Sequence, residues 1–391
     1  MKKNIIIKNT NNKIWLSLAH MSGKEQKYIQ EAFDTNWVVP LGPNVNGFEK
    51  DLETYLGSDK HIVALSSGTA ALHLGLILLD VQAGDEVICQ SFTFSASANP
   101  ITYVGAKPVF VDSEKDTWNI DPELLQEAIE DRYQKTGKYP RAIIPVHLYG
   151  MPAKMHEIRE IADHYQIPIL EDAAESLGSE YKGQKCGTLG NLGVLSFNGN
   201  KMITTSGGGA LVCNTAEQAA RAKFYATQAR DSAPHYQHSE IGYNYRMSNI
   251  CAGIGRGQMY VLEEHIARRR AIHNLYKELL SGMEGIRVFD KPSADYDSNF
   301  WLTCILIDPD ITGFDREELR LALDAENIES RPLWKPMHLQ PVFANSPSYA
   351  NGTSESLFKI GLCLPSGPTL TDADIERVVS VICKEKVKRK K

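Results

Sequence analysis

Lys201 sits in a short turn, Ser196-Phe197-Asn198-Gly199-Asn200-Lys201, straight after the apolar run 194–197. Lysines normally occupy solvated faces. One that is desolvated or set beside another cation loses its proton readily and becomes an amine nucleophile. Ser196 could offer its hydroxyl to a phosphate. Asp172 closes a second apolar run, 167–172, next to Glu171. An acid at the carboxyl end of a buried strand can hold a cationic ring nitrogen or a metal, or simply cap the next helix. Ser66-Ser67-Gly68-Thr69-Ala70-Ala71-Leu72-His73 follows a third apolar run and opens a helical pattern. Free backbone N–H groups and the helix dipole then converge on one spot, which suits a phosphate, although a capped helix start reads the same way. The turn lacks G-x-G-x-x-G, so it is not a dinucleotide fingerprint. An amine, an acid and a phosphate turn are together what pyridoxal phosphate requires, for its Schiff base, its pyridinium nitrogen and its phosphate.

Such groups need a scaffold that brings distant segments to one edge. Residues 61–65, 86–90, 108–112, 141–147 and 167–172 read as strands, with helices over 69–79 and 153–165. Strands without polar alternation are buried on both faces, as in a parallel sheet covered by helices. Residues 194–197 and 210–213 add two short strands, joined across a glycine-rich turn at Gly207, Gly208 and Gly209. Residues 249–280 then read as one long helical stretch broken only by tolerated glycines. A strand over 300–307, a helix over 316–326 and a proline- and aromatic-rich loop over 331–343 follow. The pattern predicts an α/β fold in two domains. A large one over 1–260, with an N-terminal arm, carries a mostly parallel, doubly wound sheet; a smaller α+β one covers 261–391.

The motifs SSGTAALHLGL, SFTFSASAN, PVFVD, PVHLYG, EDAAESLG, SFNGNK, GGGA and GYNYRMSNICAGIG resemble those of the DegT/StrS nucleotide-sugar aminotransferases of pyridoxal phosphate fold type I. The resemblance runs over nearly the whole chain. It is closest to the UDP-4-keto-sugar aminotransferases of bacterial bacillosamine biosynthesis, with perosamine-type enzymes next. It implies Lys201 as the Schiff-base lysine and Asp172 as the partner of the pyridine nitrogen. Thr69 and Ala70 would give backbone N–H groups to the phosphate, with Ser196 adding its hydroxyl, and Phe94 would stack on the ring. Asn244 would reach the phosphate from a partner subunit, so the resemblance implies a homodimer with shared sites. Glu175 stands beside the cofactor where many members carry Gln or His.

The resemblance further implies ping-pong transamination from L-glutamate to a nucleotide-linked 4-keto sugar, with Lys201 shuttling the proton. A UDP-linked 2-acetamido-2,6-dideoxy-4-keto-hexose is the first expectation, and GDP-4-keto-6-deoxymannose or a dTDP-keto sugar the alternative. His20, Arg230, Arg331, Trp334 and His338 are loop residues that could meet the sugar, its diphosphate or the donor carboxylate; Arg suits bidentate recognition of such groups. His147 ends a strand nearby and reads equally as a packed core histidine. Sugar dehydratases of the same fold replace the lysine with histidine, so Lys201 argues against that activity. A non-catalytic binding or regulatory protein and a nicotinamide-dependent oxidoreductase are the readings from other classes.

Composition bounds the partners. The 391 residues carry a net charge of −6, while the last eight, from Lys384 to Lys391, hold six bases and one acid and read as a frayed, solvated terminus. The remaining body is acidic, which disfavours nucleic acid as a partner. The longest apolar run, 72–79, is too short to span a membrane, and Ile5, Ile6 and Ile7 are too few for a secretory signal. Seven cysteines stand singly with no zinc spacing, so no metal is expected and a reducing cytoplasm fits.

Overall fold

Each strand of the main sheet buries alternate side chains on opposite faces, which is why its sequence shows no polar alternation. Ile62 and Ala64 face one core, Val63 and Leu65 the other. In the computed structural model, which describes residues 12–57 and 59–389, the spatial order is His61–Leu65, Gly209–Cys213, Leu192–Ser196, Leu170–Asp172, Ala142–Ile144, Glu86–Gln90, Lys107–Val111 and Ser348–Tyr349. Parallel bridges from Ile143 to Ile169 and from Val146 to Asp172 join its two halves. All strands run the same way except Gly209–Cys213, which is antiparallel to both neighbours. Helices Gly68–Leu78, Ser95–Tyr103 and Ala216–Ala226 cover one face; Pro43–Leu56, Pro122–Thr136 and Met155–Tyr165 cover the other. Ligands bind such sheets beyond the carboxyl ends of the strands, and the turns after Leu65, Gln90, Asp172 and Ser196 meet there.

Glu171, buried beside Asp172, is held from the opposite side. Its carboxylate accepts from the backbone of Gly187, Leu189 (2.7 Å) and Gly190 (2.9 Å) and meets His147 Nε2 at 2.8 Å. Its oxygens are thus spent on fixing the 187–190 loop to the strand end that carries Asp172.

The expected single helix over 249–280 is two, Asn249–Met259 and Leu262–Leu280. The break falls at Tyr260 and Val261 and not at a glycine. Gly253, Gly255 and Gly257 instead allow close packing: a Cβ on Gly257 would lie 2.7 Å from the backbone of Glu25, and one on Gly255 2.7 Å from the ring of Phe48. An antiparallel sheet of Ile286–Val288, Thr303–Ile307, Gly361–Leu364 and Arg331–Pro332 follows. It shares a core with Leu262–Leu280, Arg316–Ala325 and the C-terminal helix Asp372–Arg389, into which Ile14 also packs. The strand expected from 300 begins only at Thr303, because Phe300 has a φ of 46° and Asn299 Oδ1 accepts the Trp301 N–H at 2.8 Å.

The C-terminal residues expected to fray are helical as far as Arg389, and Lys386 Nζ donates to Glu284 O at 2.6 Å. Residues 390–391 and the run Ile5, Ile6, Ile7 lie outside the described residues. Among the described residues no helix is long and apolar enough to cross a membrane. All seven cysteines are free, but Cys304 and Cys363 are not isolated: their Sγ atoms lie 3.8 Å apart on paired strands.

Candidate active site

A cavity of about 240 Å³ opens at the carboxyl edge of the main sheet, and Lys201, Asp172 and Ser196 all line it. The turn carrying Lys201 is closed by Lys201 N–H to Asn198 O (3.0 Å) and Thr205 N–H to Phe197 O (2.9 Å). Its side chain is largely enclosed. Nζ donates to Glu175 Oε1 at 3.4 Å and lies 4.2 Å from the centre of the Trp301 ring.

Asp172 is 4% exposed. Its Oδ2 accepts from Ser97 Oγ at 2.7 Å and its Oδ1 from the Ala174 N–H at 3.1 Å. Burial raises its pKa against these bonds and the more distant Lys201 charge. Glu175 is also buried, and burial pushes its carboxyl up to about 7, while Lys201 and the Tyr149 N–H (2.7 Å to Oε2) pull it down. Two buried acids facing one lysine leave negative charge that a cationic ligand atom would relieve.

The helix Gly68–Leu78 starts at the cavity wall with Ser67 as its cap; Ser67 Oγ accepts from the Ala70 N–H at 3.0 Å. Ala70's N–H is therefore engaged within the chain, whereas Ser66, Ser67, Gly68 and Thr69 line the cavity. A Cβ on Gly68 would sit 3.1 Å from Ser196 Cβ, so the serine closes the helix mouth. A Cβ on Gly209, in the strand beneath, would lie 2.3 Å from Gly68 N. Phe94, 55% exposed, also lines the cavity, its ring centre 5.5 Å from that of Trp334. A helix N-terminus, an exposed ring face, a buried acid and an enclosed amine fit pyridoxal phosphate group for group.

Of the residues expected to meet substrate or to come from a second subunit, Trp334 lines this cavity and the others lie elsewhere. Asn244 is exposed, bridges to Thr227 and does not line this cavity in its own chain. Arg230 is exposed, its guanidinium 4.7 Å from the Tyr236 ring centre. His20 Nδ1 meets His265 Nε2 at 2.8 Å, and His338 Nδ1 meets Ser91 Oγ at 2.6 Å; neither ring lines the cavity. His147 is a core residue whose Nδ1 accepts the Ala153 N–H at 3.0 Å, and Val146 takes the cavity wall instead. Trp334 lines the cavity and, with Arg331, a side chamber of about 310 Å³ that shares Phe94, Asn200 and Trp301. Arg331 is paired there with Glu329 at 2.8 Å. Trp301, Ser97 and Tyr149 were not foreseen. Trp301 reads as strand in the sequence, and only the kink at Phe300 turns it toward Lys201.

The pattern of the DegT/DnrJ/EryC1/StrS aminotransferase family matches residues 20–383. The chain is 52% identical over 374 residues, 95% of each chain, to EpsN of Bacillus subtilis (strain 168), whose provisional name is that of a pyridoxal phosphate-dependent aminotransferase. It is 37% identical over 372 residues to a GDP-perosamine synthase of Caulobacter vibrioides, covering 95% of this chain and 97% of that one. A solved DegT DnrJ EryC1 StrS aminotransferase from Brucella abortus superposes with a TM-score of 0.86 at 32% identity, over 93% of this chain and 95% of that one. With its cavity built as such an enzyme requires, the chain belongs to the DegT/DnrJ/EryC1/StrS family and is a pyridoxal phosphate-dependent sugar aminotransferase.

Proposed function

We propose that this chain transfers the amino group of L-glutamate to the C4 ketone of a nucleotide-linked 4-keto-6-deoxy sugar. The preferred acceptor is UDP-2-acetamido-2,6-dideoxy-4-keto-hexose, in the making of a bacterial glycan or glycoprotein sugar. The observation that carries this reading is the meeting of Lys201, buried Asp172 and the turn 66–69 in one cavity. The likeness to a GDP-perosamine synthase supports a second acceptor, GDP-4-keto-6-deoxymannose.

In this reading Asp172 would hold the pyridine nitrogen and keep it protonated. Ser196 and the Thr69 backbone would hold the phosphate, joined by Asn244 of a second subunit, and Phe94 would cover the ring. Pyridoxal phosphate, once bound, supplies the electron sink that makes the donor's α-hydrogen acidic. Lys201 Nζ takes that proton from the α-carbon of glutamate. In the second half it delivers a proton to the sugar carbon that has gained nitrogen. Trp301, Phe94 and Trp334 keep water from both steps. One cavity serves both substrates in turn, so the kinetics are ping-pong. The same reading divides the chain near residue 260, the first part carrying Asp172 and Lys201 and the second Trp301 and Trp334.

The test is product formation from L-glutamate across UDP-, GDP- and dTDP-linked 3- and 4-keto sugars. Turnover is expected with 4-keto sugars and fastest with the UDP-linked 2-acetamido compound. Turnover of 3-keto sugars alone overturns the reading.

A further inference from the structure

Arg269, on the helix Leu262–Leu280, is fully buried. A buried guanidinium is ordinarily matched by a carboxylate, because an unpaired charge out of water is costly. Among the described residues no acid pairs with Arg269, and burial alone lowers its pKa to about 9. What it holds instead are neutral oxygens. Nη1 donates to Trp301 O (2.5 Å) and Ser366 O (3.1 Å); Nη2 donates to Ser17 Oγ (3.0 Å) and reaches Lys201 O at 3.5 Å.

These acceptors converge on the Lys201 turn. Ser17 Oγ in turn donates to Asn200 O at 2.8 Å, and the same carbonyl accepts from Trp301 Nε1 at 2.7 Å. One helical turn before Arg269, His265 Nδ1 lies 3.2 Å from Met202 O. Residues four apart share a helix face, so a single face of one helix reaches the carbonyls of residues 201 and 202 directly and that of 200 through Ser17. Arg269 also holds the backbone of Trp301, whose ring lies against Lys201 Nζ. The planar fork of a guanidinium can span these acceptors, which a single ammonium cannot do.

We infer that Arg269 is a positioning residue for the amine of Lys201. It clamps the lysine turn, the indole beside it and the N-terminal arm into one unit, and Ser17 is the relay of that clamp. The inference rests on the proposed role of Lys201.

The test compares cofactor-loaded wild type with Arg269→Gln, Arg269→Lys and Ser17→Ala. Three quantities are read: kcat and the KM for L-glutamate in the full transamination, and amide hydrogen exchange over residues 198–203 by mass spectrometry. A misplaced reactive group costs roughly 10- to 100-fold in rate. Arg269→Gln is therefore expected to lose that much kcat with KM changed less than about threefold. Exchange over 198–203 should rise about tenfold while distant segments keep their protection. Arg269→Lys should fall between wild type and Gln. A folded Arg269→Gln with wild-type kcat, or a fall in kcat without faster exchange at 198–203, overturns the inference. If Arg269→Gln does not fold, Ser17→Ala decides: about threefold lower kcat and faster local exchange support the clamp, and wild-type values overturn it. Borohydride labelling of wild type at a lysine other than Lys201 would sink the proposed reactive lysine instead. The exchange data would still judge the clamp.

Discussion

Lys201 is reachable from the cavity yet enclosed by Glu175 on one side and Trp301 on another. If it is the reactive amine, Lys201→Ala abolishes product formation and the borohydride-stable cofactor label together; a labelled, active alanine protein refutes the assignment. Glu175 carries a pH dependence whose sign follows from its raised pKa. The folded state keeps a proton up to about pH 7, while the unfolded chain loses it near 4.5. Stability is therefore undiminished below about 4.5 and falls as pH rises through 7, by at most about 3 kcal/mol. Cofactor-free Glu175→Gln should gain on wild type in denaturation midpoint at pH 8 and match it near pH 4. Equal midpoints at both values disprove this. Lys201 and Asp172 were legible because a lysine after an apolar run and an acid ending one are anomalies that burial alone does not explain. His20 and His338 show the opposite case: residue type hinted at substrate, but neither ring lines the cavity, and Nδ1 of each is engaged, with His265 Nε2 and Ser91 Oγ.

The turn proposed to hold the phosphate is a property of three elements. Ser67 caps a helix, Ser196 ends the strand beside it, and Gly209 lets the antiparallel strand approach Gly68 N, where a Cβ would stand 2.3 Å away. Backbone there has no room to yield, so Gly209→Ala should destabilise the protein by about 1–3 kcal/mol. It should also weaken pyridoxal phosphate affinity, read by denaturant midpoint and absorbance titration. Unchanged values for both would show that the turn tolerates displacement. Strand positions were readable to within a few residues, since burial on both faces leaves an apolar run. Breaks were not. The glycines of Asn249–Met259 read only as tolerated in sequence, whereas they serve close packing against Glu25, Tyr28 and Phe48, a fact held by the partners.

At the scale of the whole molecule, the exposed Asn244 lies apart from the cavity of its own chain. A shared-site dimer predicts complementation. Mixed Lys201→Ala and Asn244→Ala subunits form one intact site in each heterodimer, so activity should recover to roughly a quarter of wild type. Activity equal to the mean of the two parents would mean that each chain completes its own site. Net charge misdirects at this scale, because an acidic body still presents a helix N-terminus to a phosphate locally. The order of apolar runs and the odd residues at their ends sufficed for the α/β class, the cofactor and the lysine–acid pair, since these depend on local pattern. Tertiary structure alone decided that Trp301 lies against Lys201, that Ala70's N–H is spent on Ser67, and that the buried Arg269 reaches the lysine turn. Those contacts join residues far apart in the chain through kinks and shared carbonyls, which leave no periodic trace in sequence.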